Sequence, residues 1–291
     1  MRGDVEFLSG PLSQGRGRGS EGHYIAATYI ADRFKEEGLV AFDEGYIQRF
    51  PMNDTRSDGK NIIAIMPGLL NYPVSKYIIV GAHYDHLGTI DGKLYPGADS
   101  NASGVAALLA IAEHFKFLRS INAFWSTSII FVAFDCCADD RAGARHLFAQ
   151  LESGELHDPI CGNSINVNQI EMMVDIDQIG STLSPLKEGE RNFVIAIGGN
   201  SRQEQALNLC NLSMVEKMHI GRTYYGSNNF TRLFYRLGNR RIFIDNGIPT
   251  VYFTSGITDL TNSTDDTAEM LDYPILEKRV ELIGDFIEEM M

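Results

Sequence analysis

Six short apolar runs, rich in β-branched residues and bounded by polar ones, punctuate the chain at Asn61–Met66, Tyr77–Ala82, Ile129–Phe134, Glu171–Ile176, Phe193–Gly198 and Thr250–Phe253. Runs of this length and type read as strands buried on both faces of a sheet. Between them the apolar spacing changes to three and four residues. Tyr24, Ala27, Ile30, Ala31 and Phe34 share one side of a helix predicted over Glu21–Glu37, which stops before Gly38, a usual residue past a helix end. Val105, Leu108, Leu109 and Ala112 repeat the pattern, and Leu276, Val280, Ile283 and Ile287 line a last helix opened by Asp272-Tyr273-Pro274. Proline fits that first turn because its missing N–H would be unpaired there anyway. Strands alternating with helices predict an α/β fold, its central sheet covered on both faces.

Polar residues at the carboxyl ends of these strands carry the candidate chemistry, since open α/β sheets place their ligands there. His83 and Asp85 follow the Tyr77–Ala82 run in Gly81–Gly88 (GAHYDHLG). Side chains two apart on an extended chain share a face, so Asp85 can accept the free ring N–H of His83 and orient it toward a metal. His86 should point elsewhere. Asp99, in Pro96–Gly104 (PGADSNASG), lies where a loop runs into a helix. Its carboxylate can reach a cation beside His83, or it can serve only as an Asx-turn or helix cap.

Composition narrows the classes. At 291 residues and 44% hydrophobic content the chain can bury a large core, and no linker, repeat or composition break divides it, so one domain over residues 1–291 is expected. A formal net charge of −13 argues against nucleic acid and anionic membrane surfaces as partners. The apolar runs are too short to span a membrane. Four cysteines, the adjacent pair Cys136 and Cys137 and the isolated Cys161 and Cys210, form neither a disulfide framework nor a zinc-type spacing. A Cys161–Cys210 bridge stays open.

Taken in order, Phe7–Leu39, HYDHLG, GADSNASGVAALL, FVAF, VDIDQIG, GIPTVYF and a closing STDDT before a helix resemble the bacterial zinc aminopeptidases, co-catalytic di-zinc exopeptidases that include leucyl aminopeptidases and are related to glutaminyl cyclases. The resemblance covers nearly the whole chain. It implies the zinc exopeptidase fold, with a mixed, mostly parallel central sheet, and export to the periplasm or outside, although no signal peptide is visible. It also implies roles: Asp99 as the carboxylate bridging two zinc ions, with His83 and Asp177 completing the first.

The second zinc position departs from the family pattern. A gapless alignment through FVAFDCCADDRAGARHLF puts Cys137 at the general base and Ala138 at a metal ligand, and Asn262 falls where the family has histidine. Ala138 cannot bind a metal, and a neutral amide is a poor substitute for imidazole. Asp139 or Asp140 would reach the ligand position only through a slip of the alignment. Cys137 is either a zinc-binding thiolate or a small core thiol. Cys137, Ala138 and Asn262 are expected to face one cavity beside Asp99. Gly238-Asn239-Arg240 stands where the family has Ser-Asp-His. The aromatic and arginine-rich stretch Gly221–Asn246 fits a ligand pocket near the cleft or an amphipathic helix with snorkelling arginines.

The expectation is therefore a zinc exopeptidase family protein, aminopeptidase-like, holding at most one zinc ion, with peptidase activity weak or absent on a peptide or aminoacyl substrate. The alternative is a non-catalytic pseudoenzyme that binds a peptide or partner. A glutaminyl cyclase ranks last, because its single zinc would use the positions lost here.

Overall fold

The computed structural model describes residues 1–42, 44–53, 57–68 and 75–291. Among them the strands are β1 (Val40–Ala41), β2 (Ile47–Phe50), β3 (Gly59–Met66), β4 (Lys76–His83), β5 (Gly88–Ile90), β6 (Lys93–Tyr95), β7 (Thr127–Phe134), β8 (Ile170–Ile176), β9 (Phe193–Gly198), β10 (His219–Gly221) and β11 (Thr250–Thr254). The helices are α1 (Arg2–Ser9), α2 (Glu21–Glu36), α3 (Gly104–Ser120), α4 (Ala142–Ser153), α5 (Ser201–Ser213), α6 (Asn228–Tyr235), α7 (Arg240–Asp245) and α8 (Tyr273–Met290). All six predicted strands are present, and α2 and α8 begin where the sequence places them. The helix α1 is not announced by periodicity. It is held by Asp4, whose carboxylate takes hydrogen bonds from Tyr29 and Arg33 of α2.

One sheet of nine strands runs β1-β3-β7-β4-β8-β11-β9-β10, with β2 also on β3. Its centre, β7-β4-β8-β11, is parallel, while β3 joins β7 and β9 joins β11 antiparallel. The sheet is thus mixed and mostly parallel at its core. Alternate residues face opposite layers, as the two-residue strand period requires. Ile78, Val80 and Ala82 of β4 pack into the larger core with α2, α3 and α8, whereas Tyr77 and Ile79 pack into the smaller one with Leu147 and Phe148 of α4 and Phe243 of α7.

Register then fixes what emerges at the carboxyl edge. His83 of β4 pairs with Phe134 of β7, and Gly81 pairs with Asp175 of β8. Two residues further on, His83 and Asp177 leave the sheet side by side on the α4/α7 face. A Cβ on Gly81 would stand 2.4 Å from the Phe134 ring, so glycine lets that ring lie flat in the small core. Phe134 in turn receives Phe243, with centroids 6.2 Å apart, which seats α7 over the edge.

The amino-terminal segment is tied to the same edge. Arg16 is fully buried and donates to the carbonyls of Leu8, Tyr84, Pro96 and Gly97. Ser20 caps α2 by accepting the His23 N–H at 3.0 Å.

Candidate active site

His83 and Asp177 are brought together: the imidazole Nε2 lies 3.4 Å from Asp177 Oδ1. The other ring nitrogen, Nδ1, is 3.0 Å from the backbone oxygen of Asp85 and 3.7 Å from its carboxylate Oδ1. Asp85 therefore orients His83 through its carbonyl first, a correction to the side-chain contact expected. The Asp85 carboxylate instead accepts the Cys137 N–H at 3.0 Å, and its Oδ1 is buried without a hydrogen-bond partner. His86 does turn away, its ring lying against Gly97.

Asp99 does not join this pair. Its Oδ1 accepts the Gly180 N–H at 2.7 Å and the Ser103 hydroxyl at 3.2 Å, and its Oδ2 accepts the Gln178 amide at 3.3 Å. Among the described residues it does not bring a third donor within 4.8 Å of both His83 and Asp177. Its carboxylate is spent on tying the loop before α3 to the loop after β8. Burial, then the neighbouring Asp266, push its carboxyl up to about 7, against the hydrogen bonds that favour its charge. Asp266 grips the same loop from the other side, accepting the N–H groups of Asp99 at 2.7 Å and Ser100 at 3.1 Å.

The loop after β7 is pinned by Asp135, which is fully buried and accepts from His23 Nε2, Cys136 N and Lys60 N. This holds Cys137 beside His83. Burial chiefly pushes the Cys137 thiol up to about 12; His83 opposes, and Asp85, Asp177 and Asp175 add to the rise. The thiol is thus protonated at neutral pH and is no carboxylate-like base. For His83, burial works against the imidazolium, but Cys137, Asp177 and Asp85 outweigh it and hold its pKa well above the ordinary value. With the thiol neutral, the carboxylates are the partners that count.

Ala138 is exposed and lines a cavity of about 340 Å³ with Asp85, His86 and Asp139. Asn262 is not among that cavity's lining residues: it sits exposed on a turn with φ of 61°. Cys137, like Asn262, is not among the residues that line this cavity. Of the two neighbouring aspartates, Asp139 bonds Arg18 at 2.9 Å and Asp140 pairs with Arg141 and Arg145. All four cysteines are free, so Cys161 and Cys210 are not bridged.

Sequence reasoning named Arg240 in Gly238-Asn239-Arg240 but missed its role. The stretch Gly221–Asn246 is neither a pocket of exposed arginines nor one helix. It breaks at Gly238, φ 70°, into α6 and α7. Tyr224 stacks on Phe234 at 3.9 Å, and Arg240 turns inward at the start of α7. Its Nη1 lies 2.6 Å from Asp175 Oδ2 and 3.5 Å from Asp177 Oδ2, and its guanidinium stacks 3.4 Å over the Tyr252 ring. Tyr252 is the register partner of Asp175 on β11, so one strand pairing places both contacts. Burial raises the Asp177 carboxyl, but His83 and then Arg240 outweigh it and leave it at about 2. The signal was available: Asp175 interrupts an apolar strand, and a buried charge requires a partner.

The model of peptidase family M28 matches residues 61–287. The chain belongs to peptidase family M28. No curated protein sequence matches it. Among solved structures it is similar to a zinc aminopeptidase from Bacillus subtilis, with 16% identity and a TM-score of 0.59 over 79% of this chain and 50% of that one. It is also similar to the LapA aminopeptidase of Legionella pneumophila, with 12% identity and a TM-score of 0.72 over 99% and 70%. A glutaminyl cyclase from Macrostomum lignano gives 18% identity and a TM-score of 0.72 over 100% and 89%. At such identities the likeness shows the fold. This M28 chain spans about half the length of the Bacillus enzyme.

A zinc ion takes four donors in a closed site, or three with water in an open one. His83 and Asp177 offer two. Asp99 is engaged elsewhere, Ala138 has no donor, and the second oxygen of Asp177 faces Arg240. Among the described residues, no three His, Cys, Asp or Glu donors at this edge lie within 4.8 Å of one another. The residues present do not fit a zinc centre here.

Proposed function

We propose that this M28 protein is an aminopeptidase-like member with a degenerate centre, binding a peptide end or aminoacyl ligand beside His83 and hydrolysing it weakly or not at all. The observation that carries the reading is Arg240. Its guanidinium supplies, as part of the chain, the positive charge beside Asp175 and Asp177 that a metal ion would otherwise bring. Binding would use the cavity lined by Asp85 and Ala138, where the unpartnered Asp85 Oδ1 can accept an amine proton. Cys137, where the resemblance puts the general base, is protonated at neutral pH and does not take the proton from water.

A glutaminyl cyclase reading would require zinc at the positions of Asp99, Ala138 and Asn262, of which only Asp99 bears a strong donor. The test is turnover of a panel of aminoacyl amides with zinc, cobalt or manganese added. Activity is expected to be absent or orders of magnitude below the enzyme median of about 10 per second. Turnover near that median, lost in His83→Ala, would overturn the proposal.

A further inference from the structure

Away from that edge, His114 of α3 faces Asp285 and Glu288 of α8. One donor atom from each side chain lies within 4.8 Å of the other two, and among the described residues this is the group that converges so closely. Asp285 and Glu288 are three apart, a spacing that puts both on one face of a helix.

Two further observations point to a ligand. The His114 Nε2 is buried and has no hydrogen-bond partner. Its neighbouring ring carbon, Cδ2, lies 3.6 Å from where a Cβ on Gly284 would stand, so the Nε2 edge of the ring faces α8. Between the helices is a small cavity of about 130 Å³, lined by Ile111, His114, Val280, Glu281, Gly284 and Asp285. The electrostatics favour a cation. The end of α8 carries Asp285, Glu288 and Glu289 with no basic residue in its last turn, although carbonyls at a helix end favour positive charge.

We infer that His114, Asp285 and Glu288 form a divalent metal site of the zinc class, with solvent completing the coordination. One imidazole with two carboxylates is a donor set such ions accept, and imidazole disfavours calcium or magnesium. A bound ion would satisfy the orphaned nitrogen and clamp α3 to α8. The site is separate from His83 and Asp177, so its fate does not depend on the functional reading above.

The experiment is calorimetric titration of the full chain, stripped by chelator, with zinc chloride, repeated with cobalt chloride. One equivalent is expected, with at least tenfold weaker binding in both His114→Ala and Asp285→Asn and unchanged binding in His83→Ala. Imidazole nitrogen NMR should show the His114 Nε2 signal move on zinc addition, which keeps the test valid if a variant folds poorly. Zinc binding undiminished in His114→Ala, an unmoved His114 signal, or no binding to the wild-type chain would overturn the inference.

Discussion

Arg240 Nη1 sits 2.6 Å from Asp175 Oδ2, both side chains almost wholly removed from solvent. Breaking a buried pair by removing one partner leaves an uncompensated charge and costs about 3–5 kcal/mol. Arg240→Met is therefore expected to destabilise the protein by that order in urea unfolding, with most of the loss recovered when Asp175→Asn and Asp177→Asn are added. A single variant as stable as wild type would show that the pair is not what holds α7 to the edge.

Asp177 gives this network a pH signature. Its folded carboxyl lies at about 2 against an ordinary 3.8. A depressed acid contributes stability above its unfolded pKa and loses it as pH falls through the folded value. Between about pH 4 and 2 the wild-type urea midpoint should fall more steeply than that of Asp177→Asn. Equal slopes would speak against the assignment.

Asp99 has the opposite sign. With its carboxyl raised to about 7 from 3.8, its contribution is full below about pH 4 and is lost as pH rises through 7. Asp99→Asn should flatten that decline. Asp99→Ala strips the acceptor from Gly180 N–H, Ser103 and Gln178, for a loss of about 1–3 kcal/mol, while metal content stays as in wild type. A fall in bound metal would restore Asp99 as a ligand.

Gly22 lies inside α2, where alanine is ordinarily better by about 1 kcal/mol. Here a Cβ would stand 2.3 Å from the backbone C and O of Ser13. Backbone cannot yield cheaply, so the clash wins and Gly22→Ala should lower the melting temperature. A rise would mean that the 11–16 turn moves freely.

The combined change Cys137→Glu, Ala138→Glu, Asn262→His should create no second zinc position, because Asn262 sits on an exposed turn and is not among the residues lining the cavity of Ala138. Elemental analysis gaining one equivalent over wild type would show that the turn can fold inward.

The sheet was legible because β-branched runs such as Tyr77–Ala82 carry their own signal. His83 was legible as a polar residue at a strand end, and Asp177 through the resemblance of VDIDQIG to the family motif. Asp99 was not. Its partners Gly180 and Gln178 lie some eighty residues away, and local spacing cannot tell a carboxylate that grips a distant N–H from one that awaits a cation. Arg240 was hidden among arginines. Only the register of Asp175 against Tyr252 singles it out, and pairing between distant strands is not written in either strand alone.

The four carbonyls that converge on Arg16 bear on how the protein can be cut. Three of them, from Tyr84, Pro96 and Gly97, belong to the loops flanking the candidate site, yet the arginine lies well before residue 61, where the family match begins. A fragment trimmed to the matched span would leave those oxygens facing an empty slot, and the loops would splay. The leading residues act as a splint for the cleft, and Gln14, Arg18 and Ser20 also line its cavity.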